Sequence, residues 1–415
     1  MDRVILHSDA NCFYAGVEML YHPEYRSRPM AVGGDGTSRH GIILTANYPA
    51  KRMGVKTGMA LWQAYEACPS LAVLPPRMDE YLRFSGYLRE IYASYTDRVE
   101  PFGCDEAWLD VTDSRDLKGD GLKIAGEIRN RVKAELGITV SIGVSFNKIL
   151  AKLGSDYKKP DAVTTMLRCE FQRKAWSLPA SDLLMVGRST RKNLEKMGIR
   201  TIGQIARTPA DVLELHLGKM GLVLWSFANG LDESPVRAEG EHGPIKSIGN
   251  SVTTPRDITD FEDAKVVLFV LAESVGSRLR KHGFRARTVE IYVRDKDLNS
   301  FTRQRKLPFA TDSTYELASE AVRLFRENTD GETPLRSLGV RGVDLVLPNF
   351  GEQLDLFTDD GFRERLRAAD RTVDEIRKHF GYFSVQRGIA LTDLNLSHLN
   401  AEEDHTVHPM GYFGE

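Results

Sequence analysis

At 415 residues and 46.6 kDa the chain is too long for one ordinary core, and roughly 100 to 200 residues per domain implies several domains. Hydrophobic residues at 41% and charged residues at 27% exclude wholesale disorder and fibrous structure. The 56 Lys+Arg against 58 Asp+Glu leave a formal net charge of −2, so overall charge alone points to no polyanionic partner.

The start, Met1-Asp2-Arg3-Val4-Ile5-Leu6-His7, lacks the apolar core of a secretory signal. Uncharged stretches fall short of the ~20 apolar residues of a membrane span. A cytoplasmic protein with no membrane partner is the expectation. Up to residue 160, short β-rich runs at 3–8, 30–32, 41–45, 99–102, 107–111 and 139–144 alternate with helical spacing, clearest at 79–96 and 122–136. In the second of these helices Leu122, Ala125, Ile128, Val132 and Leu136 line one stripe. This predicts an α+β domain around a sheet. From Pro179 to Asn229, Gly187, Gly198, Gly203, Pro209, Gly218 and Gly221 punctuate short helical segments, the texture of small helices joined by tight turns.

Residues 230–245 are polar and rich in Gly, Pro and acid, and read as a linker. Strand, helix, strand, strand, helix, strand follow at 247–254, 261–282, 288–294, 301–307, 314–327 and 336–347. That order predicts one sheet with its helices on one face. Beyond it lie Gln353-Leu354-Asp355-Leu356-Phe357 and a helix near 361–380. Cys12, Cys68, Cys104 and Cys169 are too scattered for a zinc knuckle or a disulfide framework and read as free thiols.

Charge is uneven along the chain. Between Phe146 and Arg200 there are 12 Lys+Arg against 5 Asp+Glu, and between Arg278 and Lys306 there are 10 against 3. Two basic stretches on a near-neutral chain are the footprint of a phosphate-backbone binder; the plainer reading is two solvated faces.

Asp9 stands at the end of the first strand, and Asp105-Glu106 stand between two strand-like runs. Neighbours in a flat strand point to opposite faces, so Asp105 and Glu106 share a site only at a turn or bulge, which Gly103 permits. If the first strand lies beside this hairpin, three carboxylates converge and need cations, for which hard oxygen ligands suit Mg²⁺. Solubilising turn acids are the plainer alternative.

The runs from His7 to Glu18, Thr45 to Arg52, Asp105 to Ala107, and Ser141 to Lys148 with Leu150-Ala151-Lys152 resemble the motifs of Y-family translesion DNA polymerases. They occur in that family's order, over roughly residues 1–357. The resemblance implies an α+β, multidomain right-hand polymerase. Its parts would be a ferredoxin-like palm with small fingers (1–165, fingers about 20–77), a helical helix-hairpin-helix thumb (166–232), a linker (233–245), and an α+β little finger (246–350). A clamp-binding peptide and C-terminal tail would follow (351–415).

It also implies a monomer that takes primer-template DNA and dNTP and extends a primer with low fidelity. The implied ligands of two Mg²⁺, with Mn²⁺ able to substitute, are Asp9, Ala10 (through its carbonyl), Asp105 and Glu106. Tyr14 falls at the steric gate, and Phe13, Thr45, Tyr48, Lys51, Arg52 and Lys159 at nucleotide contacts. Gly187, Arg188 and Thr190 in the thumb, and Lys246, Ser247, Gly249, Arg285, Arg287, Arg303 and Arg305 in the little finger, fall at DNA contacts. Gln353, Leu354, Asp355, Leu356 and Phe357 resemble the peptide that binds the bacterial sliding clamp.

Four departures from the family pattern stand out. Asn11 replaces a usual Asp, Gly103-Cys104 replace a usual Ser, and Met185 stands where the thumb turn usually has a glycine. Lys51 replaces a usual Arg, so either Lys51 is a weaker clamp or Arg52 takes its part. Alternatives to an active polymerase are a catalytically weak or inactive clamp- and DNA-binding paralogue, and a nucleotide cyclase on a similar palm.

Overall fold

The computed structural model describes residues 2–34, 41–238, 241, 244–347 and 360–398. Contacts gather into two units, the first drawn from Met1–Asp35 and Gly41–His242 and the second from Gly243–His408.

The first unit contains β1 (Ile5–Ala10), β2 (Met30–Gly33), β3 (Ile43–Ala46), β4 (Ala72–Leu74), β5 (Val99–Phe102), β6 (Glu106–Asp110), β7 (Val140–Ser145) and β8 (Val163–Met166). Five of them form one sheet in the order β5-β6-β1-β7-β8, antiparallel except for the β7–β8 pair. Both faces of β1 are covered, so all of its residues are buried. Leu6, Leu109, Val140 and Ile142 face one core with Leu88 of helix Met78–Ala93 and Ile128 of helix Gly121–Arg131. Ile5 and Trp108 face the other core, with Ile149 and Leu150 of helix Lys148–Tyr157; that core continues into the small helices up to Ala228. A three-stranded sheet, β3-β2-β4, has its own small core around Ile43, Ala50 and Leu61.

Sequence spacing missed the short strands β4 and β8. It also misplaced one stripe: Leu122 is exposed while Ile124 is buried, so Ile124 takes the core position. That helix runs from Gly121 to Arg131 and closes in a π-helical turn, Val132–Leu136, before Gly137 at φ 71°.

In the second unit β9 (Ser247–Ile258), β10 (Arg285–Asp295), β11 (Ser300–Thr311) and β12 (Leu335–Val346) form an antiparallel sheet in the order β11-β10-β12-β9. Helices Phe261–Lys281 and Thr314–Asn328 supply Leu268, Leu271, Leu317 and Leu324 to a core shared with Val289, Ile291 and Val340 of the sheet. The helix Asp360–Phe380 docks through ion pairs: Asp374 with Arg280, Arg363 with Glu316, and Arg377 with Glu273. No helix among the described residues is long and apolar enough to cross a membrane.

Candidate active site

Asp9 faces Glu106 across the antiparallel β1–β6 pair, so both carboxylates leave one face at the end of the sheet. Asp105 lies in the turn between β5 and β6, where Gly103 adopts φ 85°. Its carbonyl accepts a hydrogen bond from the Ala10 N–H at 3.0 Å, which ties that turn to the end of β1. The turn is what lets two chain neighbours, Asp105 and Glu106, lie together at this end of the sheet.

Burial and then the charge of Glu106 raise Asp9 to about 6 and Asp105 to about 7. Burial acts on Glu106 in the same sense, but its contacts with His7 and Lys152 outweigh it and hold the group at about 2. Lys159 Nζ donates to Asp9 Oδ2 at 2.7 Å and to Asp156 Oδ1 at 2.8 Å. Burial would lower Lys159, yet Asp9 and Asp156 raise it above its ordinary value. Lys152 donates to Glu106 Oε2.

Among the described residues no three His, Cys, Asp or Glu side chains form a ready-made metal cage. Even so, the carboxylates of Asp9, Asp105 and Glu106 are hard oxygen donors near enough to one another for the charge of Glu106 to add to the effect of burial on the other two. That donor set fits Mg²⁺.

Asn11, one of the four departures from the family pattern, is a buried junction. Its Oδ1 accepts from the Asp161 N–H at 2.8 Å and the Thr139 hydroxyl at 3.1 Å, and its Nδ2 donates to Ser141 Oγ at 2.9 Å. The amide therefore fastens the end of β1 to β7 and to the loop after Lys159.

Phe13 and Tyr14 open helix Phe13–Tyr21, where Phe13 is buried in the core and Tyr14 is half-buried. Burial, followed by the neighbouring Cys104 and Asp105, pushes the Tyr14 hydroxyl up to about 12. The Tyr14 ring stacks on Tyr81 with centroids 4.3 Å apart and planes 19° apart. Tyr81 in turn donates to the buried Glu18 at 2.7 Å, and Arg77 grips both oxygens of that carboxylate.

Thr45 in β3 and Tyr48 at the start of helix Tyr48–Arg52 are half-buried, while Lys51 and Arg52 are exposed. Lys51 Nζ lies 5.3 Å from the centre of the Tyr48 ring. Asn47 caps this helix. Its Oδ1 accepts from the Ala50 and Met30 N–H groups, and its Nδ2 donates to the Tyr25 and Arg28 carbonyls.

Gly187 caps helix Arg188–Lys196, whose Arg188 is exposed and whose Thr190 is half-buried. Met185 takes φ 73°, the left-handed conformation that a glycine would adopt freely.

In the second unit Lys246 is exposed, Ser247 and Gly249 lie in β9, and Arg285 and Arg287 lie in β10. Arg303 bonds Asn328, and Arg305 pairs with Glu320 and Glu327. Other cations of the basic stretch are committed within the protein: Arg280 pairs with Asp370 and Asp374, and Arg278 donates to the Gly249 carbonyl. Gln353–Phe357 lie outside the described residues.

Sequence reasoning missed His7, Lys152, Asn47 and Glu18 as supports of the site. For His7 a signal existed, since two residues before Asp9 on a strand is the same face.

The family model described as "impB/mucB/samB family" matches residues 8–156, and that family's C-terminal domain matches residues 245–356. The model described as "DNA polymerase-iota, thumb domain" matches residues 181–232. DNA polymerase IV of Acetivibrio thermocellus is 51% identical over 96% of this chain and 100% of its own length. Among solved structures, a Y-family DNA polymerase chimera of Dbh and Dpo4 superposes with a TM-score of 0.72 at 27% identity, covering 83% of this chain and 99% of that one. An insertion ternary complex of Dbh DNA polymerase gives 0.57 at 25% identity over the same 83% and 99%. Family models that together span most of the sequence, and a relative half identical over nearly all of it, establish that this chain belongs to the Y-family DNA polymerases and is a DNA-directed DNA polymerase.

Proposed function

We propose that this polymerase adds dNTPs to a primer 3′-hydroxyl at the site framed by Asp9, Asp105 and Glu106. The observation that carries the reading is the convergence of the buried Asp9 with the half-buried Asp105 and Glu106, the first two raised by burial and then by the charge of Glu106. Asp9, the Ala10 carbonyl, Asp105 and Glu106 would hold two Mg²⁺, with Mn²⁺ able to substitute. When bound, such cations activate the attacking hydroxyl and neutralise the departing pyrophosphate.

The protein's own groups do the rest. Lys159, which donates to Asp9, would turn to a triphosphate; Tyr48, Lys51 and Arg52 lie on the helix that would grip it, with Thr45 alongside. Tyr14 underlies the sugar and excludes a 2′-hydroxyl, while Phe13, buried behind it, supports the ring. Primer-template DNA lies along the thumb at Gly187, Arg188 and Thr190, and along the second unit at Lys246, Ser247, Gly249, Arg285, Arg287, Arg303 and Arg305. These contacts go to the phosphate backbone, as any-template binding requires.

A solved ternary complex among the structural neighbours supports the binding of DNA with an incoming nucleotide. Low fidelity, lesion bypass and recruitment by the bacterial sliding clamp through Gln353–Phe357 complete the proposal, with a monomer as the working form.

Primer extension with dNTPs and Mg²⁺ on undamaged and abasic templates tests it. Extension that needs both primer and template, and continues past the lesion, is expected. Tight DNA binding without extension would identify an inactive paralogue, and turnover without DNA a cyclase.

A further inference from the structure

His7 is a buried histidine that the proposed chemistry leaves unused. It projects from β1 on the same face as Asp9. Its cross-strand partner in β7 is Gly143, where a side chain is impossible. A Cβ there would fall 1.8 Å from the Ala151 carbonyl oxygen and 2.6 Å from the Ser155 nitrogen. The glycine therefore lets helix Lys148–Tyr157 press onto the sheet and bring Ser155 Oγ to 2.8 Å from His7 Nδ1. On the other side of the ring, Nε2 lies 3.2 Å from Glu106 Oε2, an electrostatic contact rather than a straight hydrogen bond.

The tautomer follows from these neighbours. The Ser155 hydroxyl also lies 2.8 Å from the Lys152 carbonyl. Were its proton given there, His7 would carry hydrogen on Nδ1 and turn a lone pair toward a carboxylate. Donation from Ser155 to Nδ1 instead puts the hydrogen on Nε2, so that the positive edge of the ring faces the Glu106 carboxylate. Lys152 contacts the same oxygen, so both supports converge on Oε2 and leave Oε1 for a cation.

We infer that His7 is a positioning residue that, set by Ser155, orients Glu106 for divalent-cation binding. The inference rests on the reading of Glu106 as a cation ligand. Partners behind a metal ligand fix its orientation, and losing them typically weakens metal binding about 10- to 100-fold.

The test is Mn²⁺ titration, followed by electron paramagnetic resonance, of the full chain bound to primer-template with a dideoxy-terminated primer and the next dNTP, so that no chemistry occurs. His7→Leu should weaken Mn²⁺ binding by about tenfold or more while leaving DNA affinity near wild type. His7→Gln, which can keep a donor toward Glu106, should recover most of the loss. Ser155→Ala should weaken binding in the same direction by a smaller factor, and it carries the test if His7→Leu does not fold. Unchanged Mn²⁺ affinity in His7→Leu, or in Ser155→Ala should that variant stand alone, overturns the inference. Glu106→Gln separates the two levels: if it binds Mn²⁺ as wild type does, the cation-ligand reading fails and this inference with it. If Glu106→Gln loses Mn²⁺ and His7→Leu does not, only the role of His7 fails.

Discussion

Tyr14 lies nearly flat against Tyr81, with ring centroids 4.3 Å apart, and Tyr81 is anchored by its hydroxyl to Glu18. Tyr14, the proposed gate, is therefore held in place by a second ring, which is itself fixed to a buried carboxylate clamped by Arg77. Tyr14→Ala should lower discrimination against ribonucleotides by at least about tenfold. Tyr81→Leu, which removes the stack but leaves the gate, should produce a smaller loss in the same direction. Single-nucleotide kcat/KM for paired rNTP and dNTP checks both, and unchanged sugar selectivity in Tyr14→Ala would remove Tyr14 from this role.

Asn11 accepts from Thr139 and Asp161 and donates to Ser141. Asn11→Leu leaves these buried groups unsatisfied and should cost about 1–3 kcal/mol in urea unfolding. Because the Asp161 contact steadies the loop that carries Lys159, the KM for dNTP should rise as well. Asn11→Asp keeps the acceptor oxygens and should lose less stability than Asn11→Leu; equal losses would show that the hydrogen bonds contribute little.

Asn47 joins Met30, Ala50, Tyr25 and Arg28 through four hydrogen bonds. Asn47→Ala should destabilise the protein by about 1–3 kcal/mol. It should also raise the KM for dNTP more than it lowers kcat, since the helix bearing Lys51 and Arg52 loses its cap. A kcat effect alone would contradict that assignment.

Asp9 and Asp105, raised from 3.8 to about 6 and about 7, bind protons more tightly when folded than when unfolded. Without metal, their contribution is greatest at low pH and is lost as pH rises from about 4 to about 7. Glu106, lowered from 4.5 to about 2, works the other way, and its contribution disappears only as pH falls toward 2. Added Mg²⁺ relieves the repulsion between ionised acids. The rise in Tm on adding Mg²⁺ should therefore be larger near pH 8 than near pH 6; an equal or smaller rise at the higher pH would count against cation binding by this cluster.

How much of this was legible in the chain depended on length and locality. The second unit's strands and helices emerged within a few residues of their observed bounds because each is long enough to show its period. Asp9, Asp105 and Glu106 stood out through the resemblance to the family's motifs, and Gly103 made a turn beside Asp105 and Glu106 plausible. The supports were hidden because they depend on contacts between distant segments. His7 meets Ser155 across 148 residues of sequence, at a distance set by the packing of helix Lys148–Tyr157 on Gly143. Asn11 read as a lost acid, and only its three partners from two other segments reveal a junction. Likewise, nothing local to Arg280 indicates that Asp374, 94 residues on, takes its charge.

Whether Asp9, Asp105 and Glu106 form the centre of nucleotidyl transfer is decided by single-turnover incorporation of one dNTP by Asp105→Asn, on a primer-template the variant binds as tightly as wild type does. The expected rate is lower on the order of 10³-fold or more, the scale on which metal-held charge stabilisation operates. Incorporation within a few-fold of the wild-type rate would contradict it.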